Sequence, residues 1–178
     1  RRKAAEVARL RAVTLARGEA ALVAAAAELR GRLARGGRVL ALGNGGSATD
    51  AMDLVADLRD AGRPAIDLTE DAAIVTAIAN DIGVAAIFAR QVIAHARADD
   101  ALVALSTSGA SENVLAALAE ARRRGVLTVA FVGYDGGRIA AERLADHVIV
   151  TPSQHIPRIQ EAQATAYHAL VELIGRAA

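Results

Sequence analysis

The chain has no cysteine and no tryptophan. That excludes a disulfide framework, a thiolate nucleophile and a cysteine-based zinc site. Aromatic residues are 2% of the 178 residues and proline occurs three times. Any core must be built from Ala, Val, Leu and Ile, so it is expected to be thin, closely packed and helped by subunit contacts. Lysine is nearly missing as well. All but one of the 21 basic residues are arginine, the exception being Lys3, which reads as the composition of a GC-rich genome. The hydrophobic fraction is 53%, yet charges interrupt every window before the roughly 18–20 apolar residues of a membrane span. A formal net charge of +1, without an acidic or basic tail, gives no sign of a nucleic-acid partner. The start, Arg1-Arg2-Lys3-Ala4-Ala5-Glu6, lacks the apolar stretch of a signal peptide, so a cytoplasmic protein without a membrane partner is expected.

Residues 4–35 have Ala, Leu and Val at three- and four-residue spacing, which predicts helix. Gly18 is expected to divide it into two helices, and Gly36-Gly37 to end it. The period then changes. Short apolar runs at 38–42, 64–68, 101–105, 126–132 and 147–150 alternate with helical segments. Such runs predict buried parallel strands in a doubly wound α/β sheet. The stretch 158–176 predicts a long amphipathic last helix. No repeat or linker interrupts the chain, so one domain over 1–178 is expected, with N-terminal helices in 1–35 and an α/β core in 36–178.

In open parallel sheets ligands bind at the carboxyl ends of the strands. Two loops of unusual composition fall there. Gly43-Asn44-Gly45-Gly46-Ser47 can turn several backbone N–H groups toward one anion, since Gly and Asn tolerate positive φ. Ser47 with Asp50 reads as a capping box opening the next helix. No lysine precedes the serine, so this is not a Walker loop, and no acid suited to a ribose follows the second strand. By itself the loop is equally a tight strand-to-helix turn. The second loop, Ser106-Thr107-Ser108-Gly109-Ala110-Ser111, puts four hydroxyls within six residues. One would serve as an N-cap; four exceed that need and favour a phosphate ester bound by hydroxyls and amides.

The helix after the first loop carries Asp50, Asp53 and Asp57. Asp50 is expected to complement the helix start. Asp53 and Asp57, at i and i+4, share one face. That face is a solvated acidic surface, a cation site, or a place where one carboxyl has a raised pKa.

Together with Gly133-Tyr134-Asp135-Gly136-Gly137, Ala77-Ile78-Ala79-Asn80-Asp81 and Arg158-Ile159-Gln160-Glu161, these loops resemble the sugar isomerase (SIS) domain family. Within it they are similar to the sedoheptulose 7-phosphate isomerase branch. The resemblance implies a flavodoxin-like αβα sandwich with a five-stranded parallel sheet. It implies conversion of sedoheptulose 7-phosphate to D-glycero-D-manno-heptose 7-phosphate in a homotetramer with active sites at subunit contacts. Ser47, Ser106, Thr107, Ser108 and Ser111 would hold the phosphate, with Gly45 and Gly46 in the same cradle. Asn44, Asp81 and Gln160 would meet the sugar. The family pairs a Glu and a His as acid and base, and adds a second His and a Gln to form a site that can hold zinc. Here these positions are Asp57, His168, Asp53 and Gln160, so two of the four residue types differ. Asp57 and His168 are then the catalytic pair, and Asp53, Asp57, Gln160 and His168 the metal set. Zinc follows from the resemblance, and the harder donor set also suits Mn²⁺ or Mg²⁺. Asp57 is one methylene shorter than Glu, so a base there needs the substrate or backbone closer. The segment 59–64 is also shorter than the family's loop. Two other readings come with the resemblance: a non-catalytic branch that binds the replication initiator DnaA, and a sugar-phosphate sensor.

His155, before the last helix, is a weaker candidate, and His95 and His147 read as surface or strand-end residues. Arg122-Arg123-Arg124 complements a helix C-terminus.

Overall fold

The computed structural model describes residues 2–175. Helix α1 (Arg2–Ala34) runs without a break. It is followed by β1 (Val39–Gly43), α2 (Gly46–Asp60), β2 (Ala65–Asp67), α3 (Ala72–Asp81), a 3-10 turn (Val84–Ala86) and α4 (Ile87–His95). Then come β3 (Ala101–Ser106), α5 (Glu112–Arg123), β4 (Leu127–Gly133), α6 (Gly137–Ala141), β5 (His147–Thr151) and α7 (Ile156–Gly175). All five expected strands form, most within a residue or two of the apolar runs. Helix α7 begins two residues earlier than the sequence predicts, and Arg176, its expected last residue, lies outside the described residues.

The strands form one parallel sheet in the order β2-β1-β3-β4-β5. This is the flavodoxin-like order of a three-layer αβα sandwich. Alternate strand residues face opposite layers. Val39, Ala41, Val103, Leu105, Val129 and Phe131 pack with α1, α2 and α7. Leu40, Leu42, Leu102, Ala104, Ala130 and Val132 pack with α4, α5 and α6. Both faces being covered explains why the three central strands read as nearly unbroken apolar runs, with Thr128 the one polar residue inside β4. Among the described residues no helix is long and apolar enough to cross a membrane.

The expected break at Gly18 does not occur. Gly18 is one of the buried positions of α1, with Thr14, Leu22, Ala25, Ala26 and Leu29. A Cβ added there would lie 2.9 Å from Ile149 Cγ2, so the glycine lets α1 settle on β5. A mid-helix glycine costs about 1 kcal/mol relative to alanine, and close packing of α1 on the sheet offsets that. Gly18→Leu should therefore destabilise by about 1–3 kcal/mol through overpacking. The expected readout is a thermal midpoint lowered by about 2–12 °C in scanning calorimetry, whereas a midpoint at or above the parent value would remove this account of Gly18.

Candidate active site

Strand order reverses between β1 and β3. Helix α2 leaves β1 toward one face of the sheet and α5 leaves β3 toward the other, which opens a crevice at their carboxyl ends. Both unusual loops border this crevice.

In the first loop Gly45 has φ 57° and is the N-cap of α2, with no side chain capping the helix. The helix begins at Gly46, so Ser47 sits inside its first turn and is nearly buried. The expected capping box of Ser47 with Asp50 does not form. The left-handed turn at Gly45 starts the helix too early for Ser47 to be its cap. Asp50 is correspondingly freed from the helix start. Its Oδ2 accepts a hydrogen bond from Gln160 Nε2 at 3.3 Å, across to α7.

In the second loop Ser106 Oγ accepts from the Gly109 N–H at 3.1 Å, and Ser108 Oγ from the Ala110 N–H at 3.3 Å. Each hydroxyl keeps its own proton for a further acceptor such as a phosphate oxygen. Ser111 is the N-cap residue of α5, but its side chain makes no capping bond. The Thr107 carbonyl accepts from the Gly133 N–H at 3.0 Å. The segment after β4 supports this loop directly. The Ile139 N–H donates to the Gly109 carbonyl at 3.0 Å, and Gly109 and Gly137 fit against each other's backbone with no room for a Cβ. Gly136-Gly137 is thus both the turn into α6 and the brace of the hydroxyl loop.

The two loops are joined by a residue that the sequence does not single out. Asn44 and Asn113 exchange amide hydrogen bonds, 2.9 Å in each direction. Asn44 commits its carbonyl and one amide proton to this pair, which leaves one amide proton for a sugar hydroxyl. The only sequence signal for Asn113 is its place in the first turn after the serine-rich loop.

Below the loops, α2 and α7 run side by side. His168 Nε2 lies 3.2 Å from Asp53 Oδ2 and 3.2 Å from Asp57 Oδ2. The His168, Asp53 and Asp57 side chains are 44%, 52% and 39% exposed, so a solute can reach them. The Tyr167 hydroxyl donates to the same Asp53 Oδ2 at 2.7 Å. Burial, then the Asp53 hydrogen bond, hold its proton well above the usual phenol range. Tyr167 belongs to no motif, although it is one of two tyrosines and adjoins His168. Gln160 and His168 are about 12 Å apart along the helix axis, and they meet α2 at different turns. Gln160 is tied to Asp50 rather than to the pair at 53 and 57.

Other residues considered from the sequence make no hydrogen bond or ion pair with Asp53, Asp57 or His168 among the described residues. Asp81 ends α3, is exposed, and accepts from the Asn80 amide at 2.8 Å. Helix α3 packs on the 3-10 turn and α4. His155 is exposed, and His147 pairs with Glu28 at 3.0 Å, far along the chain from the crevice loops.

Asp53, Asp57 and His168 each offer one ligand atom, all within 4.8 Å of one another. Two carboxylate oxygens and one imidazole nitrogen with open positions fit a divalent cation.

Asp50 is the carboxylate whose environment is perturbed upward. Burial disfavours its charge most, Gln160 offsets part of that, and Asp53 adds repulsion. A carboxyl raised in the folded state favours folding below its unfolded value of 3.8 and loses that benefit as pH rises through the folded value. Asp50→Asn should therefore raise the thermal midpoint at pH 7, with the gain shrinking as pH falls toward 4. Melting curves across that range check it; a gain independent of pH would disagree.

Residues 4–133 match the family model described as SIS domain. The chain belongs to the SIS domain family. It is 46% identical over 147 residues to a phosphoheptose isomerase of Geobacter sp. (strain M21), covering 79% of this chain and 76% of that protein. It is 45% identical over 172 residues to the phosphoheptose isomerase of Desulfovibrio desulfuricans, covering 93% and 81%. The solved phosphoheptose isomerase of Neisseria gonorrhoeae superposes with a TM-score of 0.90 at 37% identity, over 96% of this chain and 93% of that one.

Proposed function

We propose that the protein is an aldose–ketose isomerase that interconverts sedoheptulose 7-phosphate and D-glycero-D-manno-heptose 7-phosphate. The observation that carries this reading is the approach of His168 to Asp57 at 3.2 Å, on the helix that opens from the first of two uncharged, hydroxyl- and amide-rich loops. The phosphate would lie between residues 44–47 and 106–111, where the hydroxyls keep protons to donate and no loop side chain is cationic. The chain of the sugar would then extend toward α2 and α7.

Isomerisation moves a carbon-bound proton to the neighbouring carbon through an enediol and shifts a second proton between the two oxygens. Each step needs a base and an acid at fixed positions. Asp57 and His168 supply both, close enough for a proton to pass between them. Asp53, Asp57 and His168 would hold a divalent cation: zinc by family resemblance, with Mn²⁺ or Mg²⁺ suited to the two carboxylates. Such an ion polarises a carbonyl or enediolate oxygen when bound.

A homotetramer accounts for the exposed apolar edge of the molecule. No residue of α3 is buried, and Ile74, Ile82 and Val84 are exposed there. Subunit contact would cover this edge and bring Asp81 near another copy. Light scattering should then give a mass near four times 18.3 kDa.

The test of function is to incubate the purified protein with sedoheptulose 7-phosphate, with and without added Zn²⁺, Mn²⁺ or Mg²⁺, and follow the aldose product. Turnover is expected. No product under any metal condition would overturn the reading. Thermal stabilisation by the sugar phosphate without product would indicate a sensor, and capture of DnaA without product the binding branch.

A further inference from the structure

We infer that Tyr167 is a positioning residue: its hydroxyl fixes the Asp53 carboxylate so that Oδ2 faces His168 Nε2, and so orients the imidazole of the acid/base pair. The inference rests on the proposed isomerase function for the role of His168.

Tyr167 and His168 are neighbours on α7, so their side chains leave the helix about 100° apart. Tyr167 points into the core and His168 toward Asp53 and Asp57 on α2. Tyr167 is 1% exposed and belongs to the hydrophobic layer formed by α1, α2, α7 and the sheet. Its ring stands edge-on to Phe131 at 6.4 Å between centroids, with an interplanar angle of 88°. Close packing leaves such a ring few rotamers, so the core sets where the hydroxyl lies. Asp53, by contrast, is exposed on α2, and without a partner its carboxylate would sample several orientations.

The hydrogen bond joins these two groups. At 2.7 Å it has the length of an O–H···O⁻ bond, and the tyrosine must donate because an ionised carboxylate has no proton. The oxygen that receives it is the same Oδ2 that lies 3.2 Å from His168 Nε2. The imidazole ring is also held against the Tyr167 ring, 4.7 Å between centroids and tilted by 59°. Tyr167 thus acts on His168 in two ways: through the carboxylate oxygen that its nitrogen addresses, and through the ring it rests on. A phenylalanine keeps the second and removes the first.

The experiment compares wild type, Tyr167→Phe, Asp53→Ala and the double variant, with a crystal structure of Tyr167→Phe. Removing a partner that orients a site residue lowers activity by about 10–100-fold. We expect such a fall in kcat for Tyr167→Phe with KM little changed, and Asp53 turned away from His168 in the crystal. In the Asp53→Ala background Tyr167→Phe should add no further loss, because the tyrosine acts through Asp53. Unchanged kcat, an equal additional loss in the Asp53→Ala background, or Asp53 still 3.2 Å from His168 in the variant crystal would each overturn the inference. Lack of turnover by the wild type would instead overturn the proposed function, and the crystal structure would then decide the positioning by itself.

Discussion

His168→Gln is expected to lower kcat for sedoheptulose 7-phosphate by about 10²–10⁴-fold, the range for loss of a positioned acid or base. Glutamine is close to histidine in reach and still offers an amide, but it cannot carry a proton between two atoms. The loss should fall on kcat. The loops proposed to hold the phosphate meet α2 at its start, about three turns before Asp57, so KM should move little. Folding should survive, because the imidazole is 44% exposed and its two ion-pair contacts are with exposed carboxylates. Asp57→Asn should cause a loss of similar order. The informative experiment is the double variant. Groups that act as one unit are strongly non-additive, so the two changes together should cost about as much as the worse one alone. Single-turnover measurements on all three variants check this. Two losses that multiply would mean that Asp57 and His168 serve separate steps. A His168→Gln enzyme retaining more than about a tenth of wild-type kcat would remove histidine from the acid/base role altogether.

The fold was legible because the signal that matters, short apolar runs alternating with helical periods, is local to each element. The runs at 101–105 and 126–132, the second broken only by the buried Thr128, are nearly continuous because both sheet faces are covered, and they became β3 and β4. Where the sequence misled, a distant partner had overridden a local preference. Gly18 reads as a helix break from its neighbours along the chain, but its reason is Ile149 on β5, 131 positions later. Ser47 and Asp50 read as a capping box by spacing. The left-handed Gly45 and the Gln160 amide on α7 draw them into other roles.

The site divides in the same way. Asp53 and Asp57 share a helix face by arithmetic, and that they face His168 follows only once α2 and α7 are laid side by side. The Asn44–Asn113 pair and the Tyr167–Asp53 bond have no motif at all. Each links residues more than 60 positions apart, the first through two hydrogen bonds and the second through one, and no spacing rule reaches that far. The acidic helix after the glycine loop is now divided by partner. Asp50 belongs with Gln160 near the loop, and Asp53 and Asp57 with His168 one to two turns further on.

Gly109→Ala should damage phosphate binding as well as the fold. Gly109 has φ +61°, and an added Cβ would run into the Gly136 carbonyl, which is backbone and cannot swing aside. The left-handed conformation alone costs a non-glycine residue about 1–2 kcal/mol, a fall of about 2–8 °C in thermal midpoint. The collision has a more specific consequence. The Gly109 N–H holds Ser106 Oγ at 3.1 Å, and the Gly109 carbonyl holds the Ile139 N–H at 3.0 Å. Moving this residue off Gly136 therefore releases a hydroxyl of the cradle and its brace on α6 together. Losing one hydrogen bond to a charged phosphate is worth about 1.5–3 kcal/mol, which corresponds to about 10–150-fold in KM. Gly125→Ala is the matching control. Gly125 also has a left-handed φ, +72°, but no atom lies within 4 Å of its added Cβ, and it sits in the turn between α5 and β4 at the far end of the sheet. It should lose a similar few degrees of stability and keep its KM. Steady-state kinetics and melting curves on the two variants separate strain from site damage. If both lose stability and neither changes KM, the hydroxyl loop does not hold the phosphate.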